Sequence, residues 1–334
     1  MDQAHPSIPW QRFESRTRRR GPALNIALFA ITFFTTALAS ALNQGVDVFS
    51  EPGAIRLGFP FAITVMTILL SHELGHYFLA RFHGVDVTLP FFIPAPPLLV
   101  GTFGAFIRMR SLPPDRRALF DIGAAGPWAG FVVAVPAVIL GLMLSEVRPL
   151  QASEGGLILG DSLLFAWLTR LVLGVSSQDV TIMLHPIALA GWFGFFVTCL
   201  NLLPAGQLDG GHVAYAVFGR NHRWVSRGVL AFLLILGSGA LLGRGGWPGW
   251  LFWGFMLLVL GVDHPRPYDP VTPLDRRRVV AAFLTLIILI LTFMPEPFSV
   301  VEPSPRPPID FGGERTAVSA PAPPPHHHGL VLSL

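Results

Sequence analysis

The feature that most constrains this chain is a series of long apolar runs that charge hardly interrupts. Leu24 to Leu42 contains no charged residue, and Phe61 to Ala80 contains only Glu73. About 20 apolar residues in a helix cross the ~30 Å hydrocarbon core of a bilayer. Seven runs qualify as candidate spans: 24–42, about 57–80, 118–144, 186–204, 225–243, 247–263 and 278–294. Composition excludes the soluble alternative. Hydrophobic residues make up 52% of the 334 residues and charged residues 13%, against ~25% charged in soluble domains. One cysteine excludes a disulfide framework and a Cys-based zinc site.

The positive charge is all arginine, and its distribution orients the chain. With the N-terminus in the cytoplasm and the spans alternating, 17 of the 23 basic residues fall on the cytoplasmic side and six opposite. That bias follows the positive-inside rule and explains a pI of 9.7 without nucleic acid. The chain divides into a cytoplasmic Arg-rich N-terminus (1–23), a membrane region (24–294) and a Pro-rich tail (295–334). The tail lacks periodicity and reads as disordered. The first run reads as a retained helix although Ala37-Leu38-Ala39 fits a signal-peptidase pattern. Leu163 to Val175 is too short to span and reads as an interfacial helix. The tryptophans around Trp247, Trp250 and Trp253 read as an interfacial belt. The fold class is an all-α polytopic membrane protein of about six to seven transmembrane helices, with a small β-strand or hairpin element.

Chemistry concentrates in Ser71-His72-Glu73-Leu74-Gly75-His76, near the cytoplasmic end of the second run. Residues i and i+4 share a helix face, so His72 and His76 can bind one metal, and Glu73 can act as base toward a water held there. Zinc suits two neutral imidazoles and an open position. An ionisable group in this apolar setting costs several kcal/mol unless it has a partner or a purpose. A third ligand is required, and Asn201-Leu202-Leu203-Pro204-Ala205-Gly206-Gln207-Leu208-Asp209-Gly210-Gly211-His212 offers Asp209 beyond a Pro- and Gly-broken helix. A helix N-cap is the alternative role for Asp209. The Arg count puts both segments on the cytoplasmic side, which favours ligation.

Between them, Pro90, Pro94, Pro96 and Pro97 forbid a continuous helix. Val100 to Arg110 then alternates, with Phe103, Ile107 and Met109 on one face and Thr102, Arg108 and Arg110 on the other. A strand here could pair with an unwound substrate by β-augmentation. Gly123, Gly126-Pro127 and Gly130 read as packing or kink positions. His83 and His185 lie near interfaces and read as packing or hydrogen-bonding residues rather than ligands, and His326 to His328 fall in the tail.

The pair H-E-L-G-H and N-L-L-P-A-G-Q-L-D-G-G-H resembles the site-2 protease family of intramembrane zinc metalloproteases. More specifically it resembles the branch that includes the ethylene-dependent gravitropism-deficient and yellow-green proteases of chloroplasts. Gly101-Thr102-Phe103-Gly104, Asp121-Ile122-Gly123-Ala124-Ala125-Gly126-Pro127, His185-Pro186 and Ala190-Gly191-Trp192 belong to the same pattern. The resemblance covers about residues 60–220, within a catalytic core at about 57–220. It implies one zinc per chain held by His72, His76 and Asp209, with Glu73 activating water. It implies a substrate contact at Asn201 near the scissile carbonyl, with His212 not a fourth ligand. Gly101, Thr102, Phe103 and Gly104 become candidate substrate-binding residues. The 40 or so residues between the third and fourth spans are too few for the PDZ-type domain of some members. The expected function is hydrolysis of a peptide bond in or next to a transmembrane segment of a membrane-protein substrate. The expected partners are that substrate and the lipid bilayer, with no nucleic acid. A metal transporter would carry further polar sites along a pathway, and a non-catalytic scaffold or chaperone of the same fold would usually have lost Glu73 or a ligand.

Overall fold

The computed structural model describes residues 21–98, 100–149, 156–175, 180–301 and 330–332. The Arg-rich cluster of the N-terminus, most of the Pro-rich tail and its three histidines lie outside these residues. Helices form at all seven apolar runs: α1 (Ala23–Asn43), α2 (Phe59–Phe82) and α3 (Arg116–Met143) first. The interfacial α4 (Leu163–Leu173) and then α5 (Pro186–Leu202) follow. After a break come α6 (Asp209–Phe218), α7 (His222–Leu241), α8 (Gly249–Leu260) and α9 (Arg276–Thr292).

Their ends follow from local chemistry. Asp115 caps α3 by accepting from the Ala118 N–H at 2.8 Å, and Ser162 caps α4 from Phe165 at 3.2 Å. His185 caps α5 through Nδ1, which accepts from the Ile187 N–H at 3.2 Å. Leu203, next to Pro204, is extended (ψ 123°), because a residue before proline is pushed out of the helical region. That stops α5 at 17 residues, and Gly261 at φ 93° ends α8 after 12. Four stretches are long and apolar enough to cross a membrane: Ala23–Asn43, Pro52–Phe82, Arg116–Met143 and Asp209–Leu241.

The centre of the molecule is α3, packed between α2 and α5 at backbone distance. An added Cβ at Gly75 would lie 2.4 Å from the Ala125 carbonyl, and one at Gly141 2.1 Å from the Ala188 nitrogen. Small residues at such contacts let helices meet closely in lipid, where van der Waals packing drives association. Trp192 and Phe195 of α5, fully buried, fill the core beside Ala134 and Val138 of α3. Trp250 is also fully buried, its indole N–H donating to the Pro295 carbonyl at 2.7 Å. It therefore belongs to the core and not to the expected belt.

Three small antiparallel sheets complete the fold. β1 (Phe91–Pro94) pairs with β2 (Thr102–Phe106), and β3 (Glu146–Pro149) with β5 (Val180–Met183). β4 (Gly156–Leu159) lies between β6 (Phe298–Val301) and β7 (Leu330–Leu332). The last two correct the reading of a wholly disordered tail. β4 offers two edges of unpaired backbone, and Phe298 brings a ring 5.3 Å from Trp192 and 5.7 Å from Trp247. Pairing and aromatic burial thus order segments that have no periodicity of their own.

The β1–β2 hairpin also corrects the expected faces. Phe92 opposes Ala105 while Pro94 opposes Thr102, so β2 carries one extra residue, and Gly104 there adopts φ 96°. Such a bulge inverts the alternation. Phe103 is 74% exposed, whereas Ile107 and Met109 pack against the buried Ala80, Val85 and Ile122.

Candidate metal centre

His72, Glu73 and His76 sit in the fourth and fifth turns of α2, all buried. Asp209 reaches them from the first residue of α6. It does not cap that helix: the N-cap is Leu208, without a side-chain bond, and the Asp209 carboxylate turns to the histidines. Its Oδ2 lies 3.1 Å from His72 Nε2 and 3.2 Å from His76 Nε2, and the two Nε2 atoms are 3.1 Å apart. The chain between α5 and α6 makes this approach possible. At Gly210 an added Cβ would lie 2.0 Å from the Leu202 carbonyl, and at Gly211 2.4 Å from the Gly206 carbonyl. Only glycines let the broken helix fold back on itself this tightly.

The three atoms form a triangle that fits a metal. Ligands at ~2.0–2.1 Å from a tetrahedral zinc stand about 3.3–3.4 Å from one another. The donor set of two imidazoles and a carboxylate is one that zinc takes, and the chain supplies three corners. His76 Nδ1–H donates to the Ile122 carbonyl at 2.7 Å, which fixes the tautomer and leaves the Nε2 lone pair for the metal. Among the described residues this is the single group of three such side chains.

α3 shapes the seat beneath. An added Cβ at Gly126 would lie 2.1 Å from His76 Nε2, and one at Gly130 3.3 Å from the His72 Cβ. At Gly123 it would meet the His212 Cβ at 2.6 Å. These glycines do pack helices closely, as the sequence suggested, but what they admit is the set of histidine side chains. That missed role has a sequence signal: the spacing i, i+3, i+7 puts all three glycines on one face.

Two cavities open on the centre. One, of about 330 Å³, is lined by His72, His76 and Asp209 together with Glu73, Gln207 and His212. The other, of about 280 Å³, is mostly apolar, with Leu69, Phe193, Val197 and Trp253 in its wall, and it shares His72, Glu73 and Asn201 with the first. Asn201 Nδ2 lies 3.3 Å from His72 Nε2. Thr102, Phe103 and Gly104 line the apolar cavity, whereas Gly101 lines neither. Gly101 packs on α1 instead, its carbonyl accepting from Thr35 Oγ1 at 2.8 Å. Ile107, just past β2, lines the first cavity together with Glu73. The outer edge of β2 pairs with no strand among the described residues.

Below the site, Asp121 holds the start of α3 in place. It accepts from Arg278 of α9 at 2.8 and 2.6 Å and bonds His83, the residue just past α2, at 2.8 Å. Ile122, whose carbonyl orients His76, is the next residue. Arg116 donates to the Ala216 and Val217 carbonyls at the end of α6. His185 and His83 thus have the hydrogen-bonding roles expected of them.

The model of peptidase family M50 matches residues 60–242. The chain is 32% identical over 295 residues to the probable zinc metalloprotease EGY1, chloroplastic, of Arabidopsis thaliana, covering 81% of this chain and 52% of the relative. It is 28% identical over 276 residues to the probable zinc metalloprotease EGY2, chloroplastic, of the same plant, at 82% and 48% coverage. With the probable zinc metalloprotease EGY3, chloroplastic, of Oryza sativa subsp. indica it shares 28% over 300 residues, at 81% and 47%. The chain spans about half the length of the curated relatives it matches. With the family match extending over more than half of its residues, from the histidine helix through the Asp209 segment, the chain belongs to peptidase family M50.

Proposed function

We propose that this protein is an intramembrane zinc endopeptidase that hydrolyses a peptide bond in or next to a transmembrane segment of a membrane-protein substrate. The observation that carries the reading is the ligand triangle with Glu73 beside it, at the meeting point of two cavities. Bound by His72, His76 and Asp209, zinc would lower the pKa of a water toward ~7 and polarise the scissile carbonyl. Glu73 takes the proton from the attacking water and delivers it to the departing amine. Asn201 offers its amide N–H groups to the carbonyl oxygen as charge develops there.

A helical substrate hides its carbonyls, so it must unwind. The unpaired edge of β2 supplies backbone partners for the extended form, and Thr102, Phe103 and Gly104 line the apolar cavity that would take its side chains. The membrane reading extends to six or seven spans, with α5, α8 and α9 added to the four long stretches. The interior helix α5 can be shorter because its neighbours, not lipid, surround it. The N-terminus and the active-site end face the cytoplasm, in keeping with the arginine bias.

The experiment is Glu73→Gln in the full chain. The expected outcome is one zinc retained per chain, with cleavage lost and a single-span protein trapped in native membranes. Unchanged cleavage in this variant sinks the assignment of Glu73.

A further inference from the structure

One imidazole in the site has no part in the chemistry above. His212 stands one turn after Asp209 on α6, lines the 330 Å³ cavity and lies outside the ligand triangle. Its Nδ1 is 2.5 Å from His264 Nε2, and His264 Nδ1 is 2.5 Å from the Pro265 carbonyl oxygen. A carbonyl only accepts, so the proton at that end of the chain sits on His264 Nδ1. Burial, with His212 and His222 nearby, pushes His264 down to about 3 from 6.5, so its ring is neutral near pH 7 and its Nε2 is a bare acceptor. The proton shared by the two rings therefore belongs to His212 Nδ1. That leaves a lone pair on His212 Nε2, at the opposite edge of the ring, which no described protein group bonds.

His264 is itself held firmly. Its ring stacks on Tyr215 (4.8 Å, 25°) and meets His222 edge-on (5.8 Å, 77°). His222 bonds Ser226 Oγ at 3.1 Å, and that hydroxyl also accepts from the Gly206 N–H in the turn leading to Asp209. Two aromatic partners and a hydrogen bond to the Pro265 carbonyl fix the His264 ring in the loop.

We propose that His212 contacts the substrate, its Nε2 accepting a hydrogen bond from the N–H of the scissile peptide, and that His264 is a positioning residue that fixes the His212 tautomer. The inference rests on the peptidase reading. In the collapse step Glu73 gives its proton to the amide nitrogen, the C–N bond breaks, and its electron pair stays on the departing amine. An acceptor on the N–H turns the nitrogen lone pair toward that proton, and His212 itself gains none. The glycine beneath His212, Gly123, keeps its Cβ at contact distance from α3 and so sets the reach of the ring.

The test uses the full chain in detergent with 15N-labelled histidine, and a panel of synthetic single-span peptides with Gly- or Asn-containing centres. The His212 resonance is expected to show a protonated Nδ1 and an unprotonated Nε2. His264→Leu should abolish that preference, and His264→Gln, whose side-chain oxygen can accept, should recover it. In kinetics, His212→Phe and His264→Leu should each lower kcat about 10-fold, the worth of one hydrogen bond, with KM and zinc content unchanged. His264→Gln should recover most of the loss. A proton found on His212 Nε2, or equal losses in the Leu and Gln variants together with lost zinc, overturns the proposal. Wild-type protein that cleaves no peptide counts against the peptidase reading, while the 15N spectrum still judges the tautomer.

Discussion

Replacing Gly126 by alanine adds one carbon at the most crowded point of the metal seat. The new Cβ would lie 2.1 Å from His76 Nε2 and 2.4 and 2.5 Å from the adjacent ring carbons. An ordinary contact is about 3.5 Å, so the ring or α3 must move by roughly 1.4 Å. The ring cannot give way freely, because its Nδ1–H is tied to the Ile122 carbonyl and α2 is packed on α3 through Gly75. Overpacking costs about 1–3 kcal/mol, and the gain from Gly to Ala inside a helix returns about 1. Stability therefore changes little, by about 0–2 kcal/mol. Metal affinity changes far more. Disturbing a residue that merely orients a ligand costs about 10–100-fold, and here the ligand atom itself is displaced, so at least about 100-fold is expected. Gly130→Ala is the matched control: its Cβ would approach the His72 Cβ at 3.3 Å and Nδ1 at 3.4 Å, a shortfall of tenths of an ångström. Zinc affinity there should stay within about 3-fold. Chelator competition on purified protein, with melting temperatures alongside, reads both. Parental zinc affinity in Gly126→Ala, or an equal loss in Gly130→Ala, refutes the reasoning.

Asp209→Asn exchanges a charged ligand for a neutral one and should remove stoichiometric zinc, measured by elemental analysis, while circular dichroism shows the helices intact. Asp121→Asn breaks the two-pronged bond from Arg278 and the contact to His83; an expected cost of about 1–3 kcal/mol would appear as a melting temperature lower by several degrees. His264 carries a pH prediction. Unfolded, it protonates near 6.5, but in the fold only near 3, so the folded chain binds fewer protons between those values. Stability should thus fall as pH drops below about 6.5, by at most ~1.4 kcal/mol per pH unit. Melting curves at pH 7 and 5 should show a smaller difference in His264→Gln.

Much of the site could be read from the chain because its signals are local. His72 and His76 share a helix face by spacing alone, and Glu73 stands out as the one charge in its run. The break in the backbone after Asn201 is written in Pro204, Gly210 and Gly211. Other features depend on contacts that sequence periodicity does not encode. The bulge at Gly104 turned Phe103 away from Ile107 and Met109, since alternation assumes an uninterrupted ladder. The tail strands Phe298–Val301 and Leu330–Leu332 are ordered by β4, well over a hundred residues from either in the case of the first and more for the second. Trp250 looked like an interfacial anchor until its neighbours buried it. Gly101 carried a family pattern but packs on α1.

By itself the sequence determined that the chain belongs in a membrane and which residues are equipped to bind a metal. Those follow from composition and from the 3.6-residue period, both properties of neighbouring residues. The tertiary structure alone decided that Asp209 closes the triangle with His72 and His76, that Gly126 makes room for it, and that His264 stands behind His212. Each of these joins residues far apart in the chain, Asp209 to the two histidines at 3.1 and 3.2 Å and His264 to His212 at 2.5 Å, and only the packing of the helices and of the loop after α8 sets such distances.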